Sequence, residues 1–281
     1  MKLYSIIAEK FKLDGGACFG TVPKTIWQKQ VTVDENNMVG VLSRCLLVED
    51  GNRLILFDAG MGDKQDDKYF SYFHLFGNYS LNSSIKELGF SLNDITDVVF
   101  THLHFDHCGG AFKYNADRTE IVPLFENAQY WCSQQQLDCA LYPNAREKAA
   151  YFKENVLPIQ QSNKLNLVTG NTFITENIEL RMFNGHTLGQ LIPFVKYKDK
   201  TLVFTADFIP SAFQIPVGYI ASFDVQPLVA MKEKERFLEE AAKGNYTLMF
   251  EHDIEHECCD LQATERGVRL NNTFTLQTFA Q

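Results

Sequence analysis

The stretch THLHFDHCGG, residues 101–110, carries three histidines and one aspartate within six positions. An apolar run at residues 98–100 precedes it and two glycines end it, which predicts a buried strand that runs into a tight loop. Neutral imidazole nitrogens and carboxylate oxygens are the usual ligands of zinc and its neighbours. A loop this short can direct His102 and His104 to one ion. It can direct Asp106 and His107 to a second ion, so the loop predicts a metal site.

A histidine-rich surface loop that collects metal by chance is the alternative interpretation. The chain has only seven histidines, however, and three of them lie in this loop. That concentration favours a built metal site.

The composition predicts a globular protein with a large core. The chain has 281 residues, of which 45% are apolar and 13% aromatic, and it shows no linker or composition shift. We therefore expect one domain, residues 1–281. The net charge of −9 and the lack of a basic stripe argue against a nucleic acid or an anionic membrane as partner. Small neutral or zwitterionic substrates remain open.

The cysteines and the first residues predict a cytoplasmic protein. The seven cysteines are odd in number and scattered, unlike a secreted disulfide framework. The first residues lack the long apolar stretch and cleavage site of a signal peptide. The chain has no run of about twenty apolar residues, so we expect no transmembrane helix.

Apolar patterning and turn residues predict a mixture of strands and helices. We expect an edge strand at 2–8, a long loop at 11–30 and a hairpin at 40–48 and 53–57. We also expect a helix at 82–89 capped by Asn82 or Ser83. The further strands are expected at 95–100, within 120–131, and at 178–183, 190–197, 201–205 and 246–250. The further helices are expected at 133–140, 145–155 and 228–243, and a second long loop at 209–227.

Five of the predicted strands deliver a histidine or an aspartate just past their carboxyl ends. These residues are Asp58, His102, His186, Asp207 and His252. In layered α/β folds the strand ends at one edge are where sites are built. One such residue is commonly a buried side chain with ordinary hydrogen bonds, but five favour a metal centre.

Counting the ligands predicts two ions. Three nitrogens, from His102, His104 and His186, suit one ion. A second ion can take Asp106, His107 and His252. The remaining Asp207 has two oxygens and can bridge both ions, as in two-metal hydrolytic sites.

Residues 61–80 contain six aromatic side chains without helical periodicity. They are interpreted either as a core-packing helix or as an apolar cap over a substrate. The same segment is the basis for expecting a homodimer.

The motif HLHFDH at residues 102–107 resembles the HxHxDH signature of the metallo-β-lactamase superfamily. Asp58, the turn at Gly185 and His186, Asp207 and His252 follow in the order of that superfamily. The resemblance implies an α/β fold, a four-layer αββα sandwich with the metal site at one edge of the sheets. It also implies that Asp58 orients a ligand histidine. Two divalent ions are implied, zinc first, with iron, manganese and cobalt as alternatives.

Two segments resemble one branch of this superfamily, the N-acyl-homoserine lactonases and the methyl-parathion-hydrolase-like enzymes. They are DGGACFGTVPKTIW at 14–27 and PSAFQIPVGYIASFDVQPL at 210–228. The branch implies a tyrosine–aspartate pair where this chain has Phe223 and Asp224, and a histidine where it has Gln214. Tyr219 is a candidate substitute for that tyrosine.

The resemblance implies a dinuclear-metal hydrolase in which a metal-bridging hydroxide opens a lactone such as an N-acyl-homoserine lactone, an activity called quorum quenching. The implied substrate is a small neutral or acyl-chain molecule, and Asp106 and Asp207 are the implied catalytic carboxylates. The expected substrate pocket comprises Phe19, Phe70, Phe73, Phe76, Tyr219 and Phe223. Other esters, thioesters, phosphotriesters or β-lactams are alternative substrates. An iron-dependent oxidoreductase and a binding module without activity are the alternatives to a hydrolase.

Overall fold

The computed structural model describes all of residues 1–281. Its strands are β1 (Lys2–Asp14), β2 (Met38–Asp50), β3 (Arg53–Phe57), β4 (Asp97–Val99), β5 (Phe112–Tyr114), β6 (Ile121–Pro123), β7 (Gln129–Ser133), β8 (Leu165–Val168), β9 (Thr172–Thr175), β10 (Ile178–Phe183), β11 (Gln190–Tyr197), β12 (Lys200–Phe204), β13 (Thr247–Met249), β14 (Cys258–Thr264) and β15 (Gly267–Phe274).

The helices are mostly short. They are α1 (Gly15–Phe19), α2 (Lys24–Trp27), α3 (Asp67–Ser71), α4 (Leu81–Glu87), α5 (Phe105–Cys108), α6 (Gln134–Leu141), α7 (Lys153–Gln161), α8 (Pro227–Lys243) and α9 (Leu276–Ala280). None of them combines the length and the apolar character needed to cross a bilayer.

The chain divides into two compact units, and the first comprises residues 1–10 and 43–170. Its six-stranded sheet has the order β1-β2-β3-β4-β7-β8. The last four of these strands are parallel, so their carboxyl ends lie at one edge. Apart from the ion-paired Arg53 and Asp97, β3 and β4 are buried and apolar, as parallel strands covered on both faces require. This edge presents Asp58 after β3 and the histidine loop after β4.

The second unit comprises residues 11–42 and 171–281. Its seven-stranded sheet has the order β15-β14-β13-β12-β11-β10-β9. β12 and β13 are parallel, and β10 and β12 are each antiparallel to β11, so these three strands end at one edge. The buried residues of α8 recur at helical spacing and form one face of the helix. On this face, the Phe237 ring contacts the rings of Phe194 and Phe208.

Several element predictions are confirmed. Strands β10 and β11 have the predicted bounds, the hairpin of β2 and β3 forms with an antiparallel register, and α8 begins one residue earlier than expected. β1 is an edge strand, although it is longer than predicted. Strong apolar patterning specified these elements. The single-domain prediction, 1–281, stays a prediction.

Other element predictions are wrong. Residues 11–30 are not one loop, because β1 continues to Asp14, whose carboxylate then caps α1 by accepting from Ala17 N at 2.8 Å. The cap of α4 is Ser80, not Asn82 or Ser83. The expected helix at 145–155 is instead a turn organised by Asn144, a short 3-10 helix at Lys148–Ala150 and the start of α7 at Lys153. β14, β15 and α9 lie beyond the last predicted strand.

Candidate metal centre

Asp58 organises the histidine loop in the first unit. It lies directly after β3 with φ of 60°, and its side chain is fully buried. Oδ1 accepts from the backbone N–H of Thr101 at 2.7 Å, and Oδ2 accepts from the Thr101 hydroxyl at 2.7 Å. Oδ2 also lies 3.1 Å from Nδ1 of His107. A carboxylate only accepts, so Nδ1 of His107 carries the proton and Nε2 keeps a lone pair.

The same hydroxyl fixes His102. Because the Thr101 hydroxyl donates to Asp58, it accepts from Nδ1 of His102, which lies 3.0 Å away. Nε2 of His102 therefore keeps its lone pair, and it lies 3.0 Å from Nδ1 of His104. Nε2 of His107 lies 3.8 Å from Oδ1 of Asp106. Each adjacent pair thus turns two ligand atoms towards each other.

The thiol beside this loop has no catalytic character. Cys108 follows His107 directly, but its side chain is buried and its Sγ donates to Leu103 O at 3.4 Å. Burial raises the pKa of the Cys108 thiol to about 12, so it stays protonated at neutral pH. Burial, and next the nearby Asp106, also raise the pKa of the Tyr69 phenol. Neither group is ionised at neutral pH.

The second unit presents its own set of ligand types, from three strand ends. His186 follows β10, Asp207 follows β12 and His252 follows β13. Oδ2 of Asp207 lies 3.1 Å from Nε2 of His186, and Oδ1 lies 2.8 Å from Nε2 of His252. All three side chains are buried, so bulk solvent screens their contacts little.

In His186 and in His252, the outer nitrogen of the ring, Nδ1, points away from Asp207 and has an acceptor. Nδ1 of His186 lies 2.8 Å from Oδ1 of Asp224, and Nδ1 of His252 lies 2.8 Å from the carbonyl of Leu42. In the neutral rings, Nδ1 therefore carries the proton and the Nε2 lone pair faces an oxygen of Asp207. Lone pairs that face each other repel, and a divalent cation between nitrogen and oxygen removes the repulsion. The donor set in this unit fits a metal, and the partners of the outer nitrogens are those that metal-bound histidines generally have.

The model of the metallo-beta-lactamase superfamily matches residues 39–252, which span the loop and the second set of ligands. The chain belongs to the metallo-β-lactamase superfamily. Both the resemblance drawn from HLHFDH and the predicted α/β fold class are thereby confirmed. The chain is a metal-dependent hydrolase of this superfamily, whose members bind divalent metals.

Relatives and solved structures agree with this assignment. An N-acyl homoserine lactonase of Bacillus thuringiensis is 25% identical over 226 residues, which are 76% of this chain and 82% of the relative. A probable metal-dependent hydrolase from Staphylococcus aureus has a TM-score of 0.87 at 24% identity, with 98% of each chain covered. AidC, a dizinc quorum-quenching lactonase solved with a product, has a TM-score of 0.77 at 22% identity, covering 97% of this chain and 95% of AidC. These structures share the metallo-β-lactamase fold with the chain.

An apolar cavity of about 420 Å³ lies in the second unit. Two of the six expected pocket residues, Phe19 and Phe223, line it together with the metal-ligand candidate His252. The Phe223 ring also contacts His186 edge-on, with centroids 5.9 Å apart. The branch comparison expected a histidine at Gln214, and this residue lines the cavity while its amide donates to Cys18 O at 2.9 Å.

The other expected pocket residues lie elsewhere. Phe70 and Phe73 belong to an aromatic cluster of the first unit, in which Tyr69 contacts both rings and Phe105. Phe105 lies between two ligand candidates in the sequence, which brings the cluster beside the histidine loop. Phe76 is 38% exposed. Tyr219 is half-buried and is not among the residues that line the cavity.

Two carboxylates beside ligand histidines were not assigned a role from the sequence. Asp224 accepts from His186, as described above, and Glu147 lies 3.6 Å from Nε2 of His104. Neither follows a strand, so the strand-end pattern could not find them. The branch resemblance pointed to position 224 only as part of a pair with a tyrosine.

Proposed function

We propose that the chain is a dinuclear metal hydrolase that opens lactones, with N-acyl homoserine lactones as the first candidate substrates. The observation that carries this proposal is the carboxylate of Asp207. It presents one oxygen to the Nε2 lone pair of His186 and the other to that of His252. A carboxylate in this arrangement suits two ions, one on each oxygen, and two-metal sites are typical of hydrolases.

The predicted ligand set would supply the remaining ligands. One ion would take His102, His104 and His186, the second would take Asp106, His107 and His252, and Asp207 would bridge them. A donor set with five imidazoles suits zinc, while iron, manganese and cobalt are alternatives. When bound, two such cations lower the pKa of a water molecule towards neutrality and polarise the substrate carbonyl.

The protein residues would orient the ligands and move a proton. Asp58 and Asp224 would hold His107 and His186 with the lone pair of Nε2 directed to the metals. The Asp106 side chain keeps 12% of its surface exposed, so it can exchange a proton with the ring oxygen that leaves when a lactone opens. The buried thiol of Cys108 takes no part.

The cavity of the second unit suits an apolar substrate tail. Its volume of about 420 Å³ falls in the range of small-molecule sites. Val41, Phe213 and Phe223 are among the apolar residues that line it, and the polar lining includes the ion pair of Lys12 and Asp34 at 2.8 Å. Because His252 also lines the cavity, a substrate held at the metals could place an acyl chain there.

Position 223 distinguishes this chain from the lactonase branch. Phe223 supplies no hydroxyl where the lactonase branch has a tyrosine, so this chain would hold the carbonyl without that hydrogen bond. Tyr219 stays a candidate for the role. Esters, thioesters, phosphotriesters and β-lactams are the alternative substrates on the same site.

A combined metal and substrate experiment tests the proposal. The purified protein should contain two divalent ions per chain and should open acyl lactones, followed by proton release. Val41→Phe would fill the cavity and should raise KM for long acyl chains while leaving short chains unchanged. Two ions with no lactone opening, but with cleavage of another ester, would reject the lactone assignment. A protein that cannot be loaded with metal would reject the hydrolase site itself.

We further infer a cytoplasmic location and a homodimer. All seven cysteines are free, and six are buried, which suits a reducing compartment. Tyr72, Leu75 and Tyr79 in the aromatic segment are 44–61% exposed, and a second copy of the chain would cover them. Light scattering of the purified protein tests the dimer, and a monomer at micromolar concentration would reject it.

A further inference from the structure

His104 presents its ring in the opposite sense to the other histidines of the centre. His102, His107, His186 and His252 each bond an acceptor through Nδ1 and keep Nε2 for a metal. His104 instead turns Nδ1 towards Nε2 of His102, at 3.0 Å. For both rings to serve one ion, His104 must carry its proton on Nε2. A buried N–H needs an acceptor, so we expect a neighbouring group to face Nε2 of His104 and hold the ring in this sense.

The carboxylate of Glu147 lies on that side of the ring. Its Oε1 is 3.6 Å from Nε2 of His104, within ion-pair range. The Glu147 side chain is only 3% exposed and that of His104 only 9%, so solvent does not screen the contact. Burying a carboxylate is costly unless it is paired with a cation or with hydrogen-bond donors. The buried carboxylate of Glu147 therefore requires specific partners.

Neighbouring side chains hold the carboxylate in place. The Asn144 amide donates to Oε2, while Oδ1 of Asn144 accepts from the backbone N–H of Glu147 at 3.1 Å. The Tyr151 hydroxyl donates to Oε1 at 3.2 Å, and its ring packs on the His104 ring with centroids 5.0 Å apart. Tyr151 thus contacts both the Glu147 carboxylate and the His104 ring and holds the two side chains together.

The same network also holds the backbone of the histidine loop. Oε1 of Gln136, at the start of α6, accepts from the backbone N–H of Leu103 at 3.1 Å. The Tyr151 hydroxyl lies 3.4 Å from the same oxygen. A chain of buried polar contacts therefore connects Glu147 to both the side chain and the main chain of the loop.

We propose that Glu147 is a positioning residue for His104: its carboxylate faces Nε2–H of the ring and so directs the lone pair of Nδ1 to the metal. Asn144 and Tyr151 hold the carboxylate in the required orientation. The inference rests on the metal centre of the proposed function. It concerns metal affinity and the protonation of one ring, so it can be tested without a substrate.

Two measurements test the role of Glu147. Nitrogen-detected NMR of the histidine rings in metal-free protein should show His104 protonated on Nε2, and E147A should shift it towards a mixture of tautomers. Chelator competition with zinc should show one of two binding steps weakened about 10- to 100-fold in E147A, the typical effect of removing such a partner. E147Q should retain more of the affinity, because its amide oxygen can still accept from Nε2.

Matched variants keep the result interpretable. Glu126 is an exposed glutamate of the same unit, and E126Q should leave both measurements unchanged. If E147A does not fold, E147Q and Y151F carry the test, with circular dichroism to confirm folding. A wild-type His104 protonated on Nδ1, or wild-type zinc affinity and tautomer in the folded variants, would overturn the proposal. Failure of the wild type to bind zinc would reject the proposed function, while the tautomer measurement would still judge Glu147.

Discussion

Oδ1 of Asp224 lies 2.8 Å from Nδ1 of His186, and both side chains are buried. The contact fixes the proton on Nδ1 and orients the ring, so its loss should weaken metal binding. We expect Asp224→Ala to lower zinc affinity about 10- to 100-fold, measured by chelator competition.

Asp224→Asn should fall between wild type and alanine, because the amide oxygen can still accept. Asp199 is an exposed aspartate of the same unit, so Asp199→Ala is the matched control. Unchanged zinc affinity in Asp224→Ala would show that the contact has no role at the metal.

Asp207 and His104 should be essential for hydrolysis. Asp207→Ala removes the carboxylate between His186 and His252, and His104→Ala removes one ring of the loop. We expect each variant to lose hydrolysis and to remain folded, with activity and circular dichroism measured on the same samples.

His74 is exposed and has a φ of 44°, a conformation that asparagine tolerates. His74→Asn is therefore the control that should keep full activity. Hydrolysis that persists in Asp207→Ala or His104→Ala would contradict the assignment of the metal ligands.

Removing metal should destabilise the protein as well as inactivate it. The ligand side chains are buried, and their facing lone pairs repel when no cation separates them. A ligand present at 1,000 times its Kd adds about 4 kcal/mol to stability, so dialysis against a chelator should lower Tm by about 10 °C. Scanning calorimetry measures this, and added zinc should restore both Tm and activity. An unchanged Tm would argue against metal in the native protein.

Lys234 should make stability depend on pH. Its side chain is buried beneath the loop at 209–227, where Nζ donates to Gln214 O at 2.8 Å and Tyr219 O at 2.7 Å. Burial lowers its pKa from 10.5 to about 7, opposed in part by Asp224. Since the unfolded chain holds this proton up to its higher pKa, the free energy of unfolding should rise with pH between about 7 and 10.5, by at most about 5 kcal/mol.

Urea denaturation at pH 7, 8.5 and 10 checks this slope. Lys234→Met should flatten it, whereas Lys232→Met should not, because Lys232 is exposed on the same helix. Equal slopes in the two variants would contradict the prediction.

Lys234→Met should also raise KM more than it lowers kcat. The carbonyls that Nζ of Lys234 binds belong to a loop whose Gln214 lines the apolar cavity.

The sequence predicted most of the elements whose side chains repeat with a clear period. β10, β11 and α8 show this, because apolar spacing alone distinguishes a half-buried strand from an amphipathic helix. It failed at residues 11–30, where glycines suggested a loop but the Asp14 cap begins a helix. Glycine and aspartate occur both in loops and at the start of helices, so contacts with the surrounding residues determine which of the two forms.

The superfamily, the α/β class and the candidate metal ligands could be predicted before folding was considered, because ligand chemistry is a property of residue type and of position after a strand. The contact that Nδ1 of each ring makes is seen only in the folded chain. Leu42, whose carbonyl contacts His252, is 210 positions away from it in the sequence, and Asp224 is 38 positions away from His186. The direction in which a buried ring points depends on groups brought together by folding, and no local spacing encodes it.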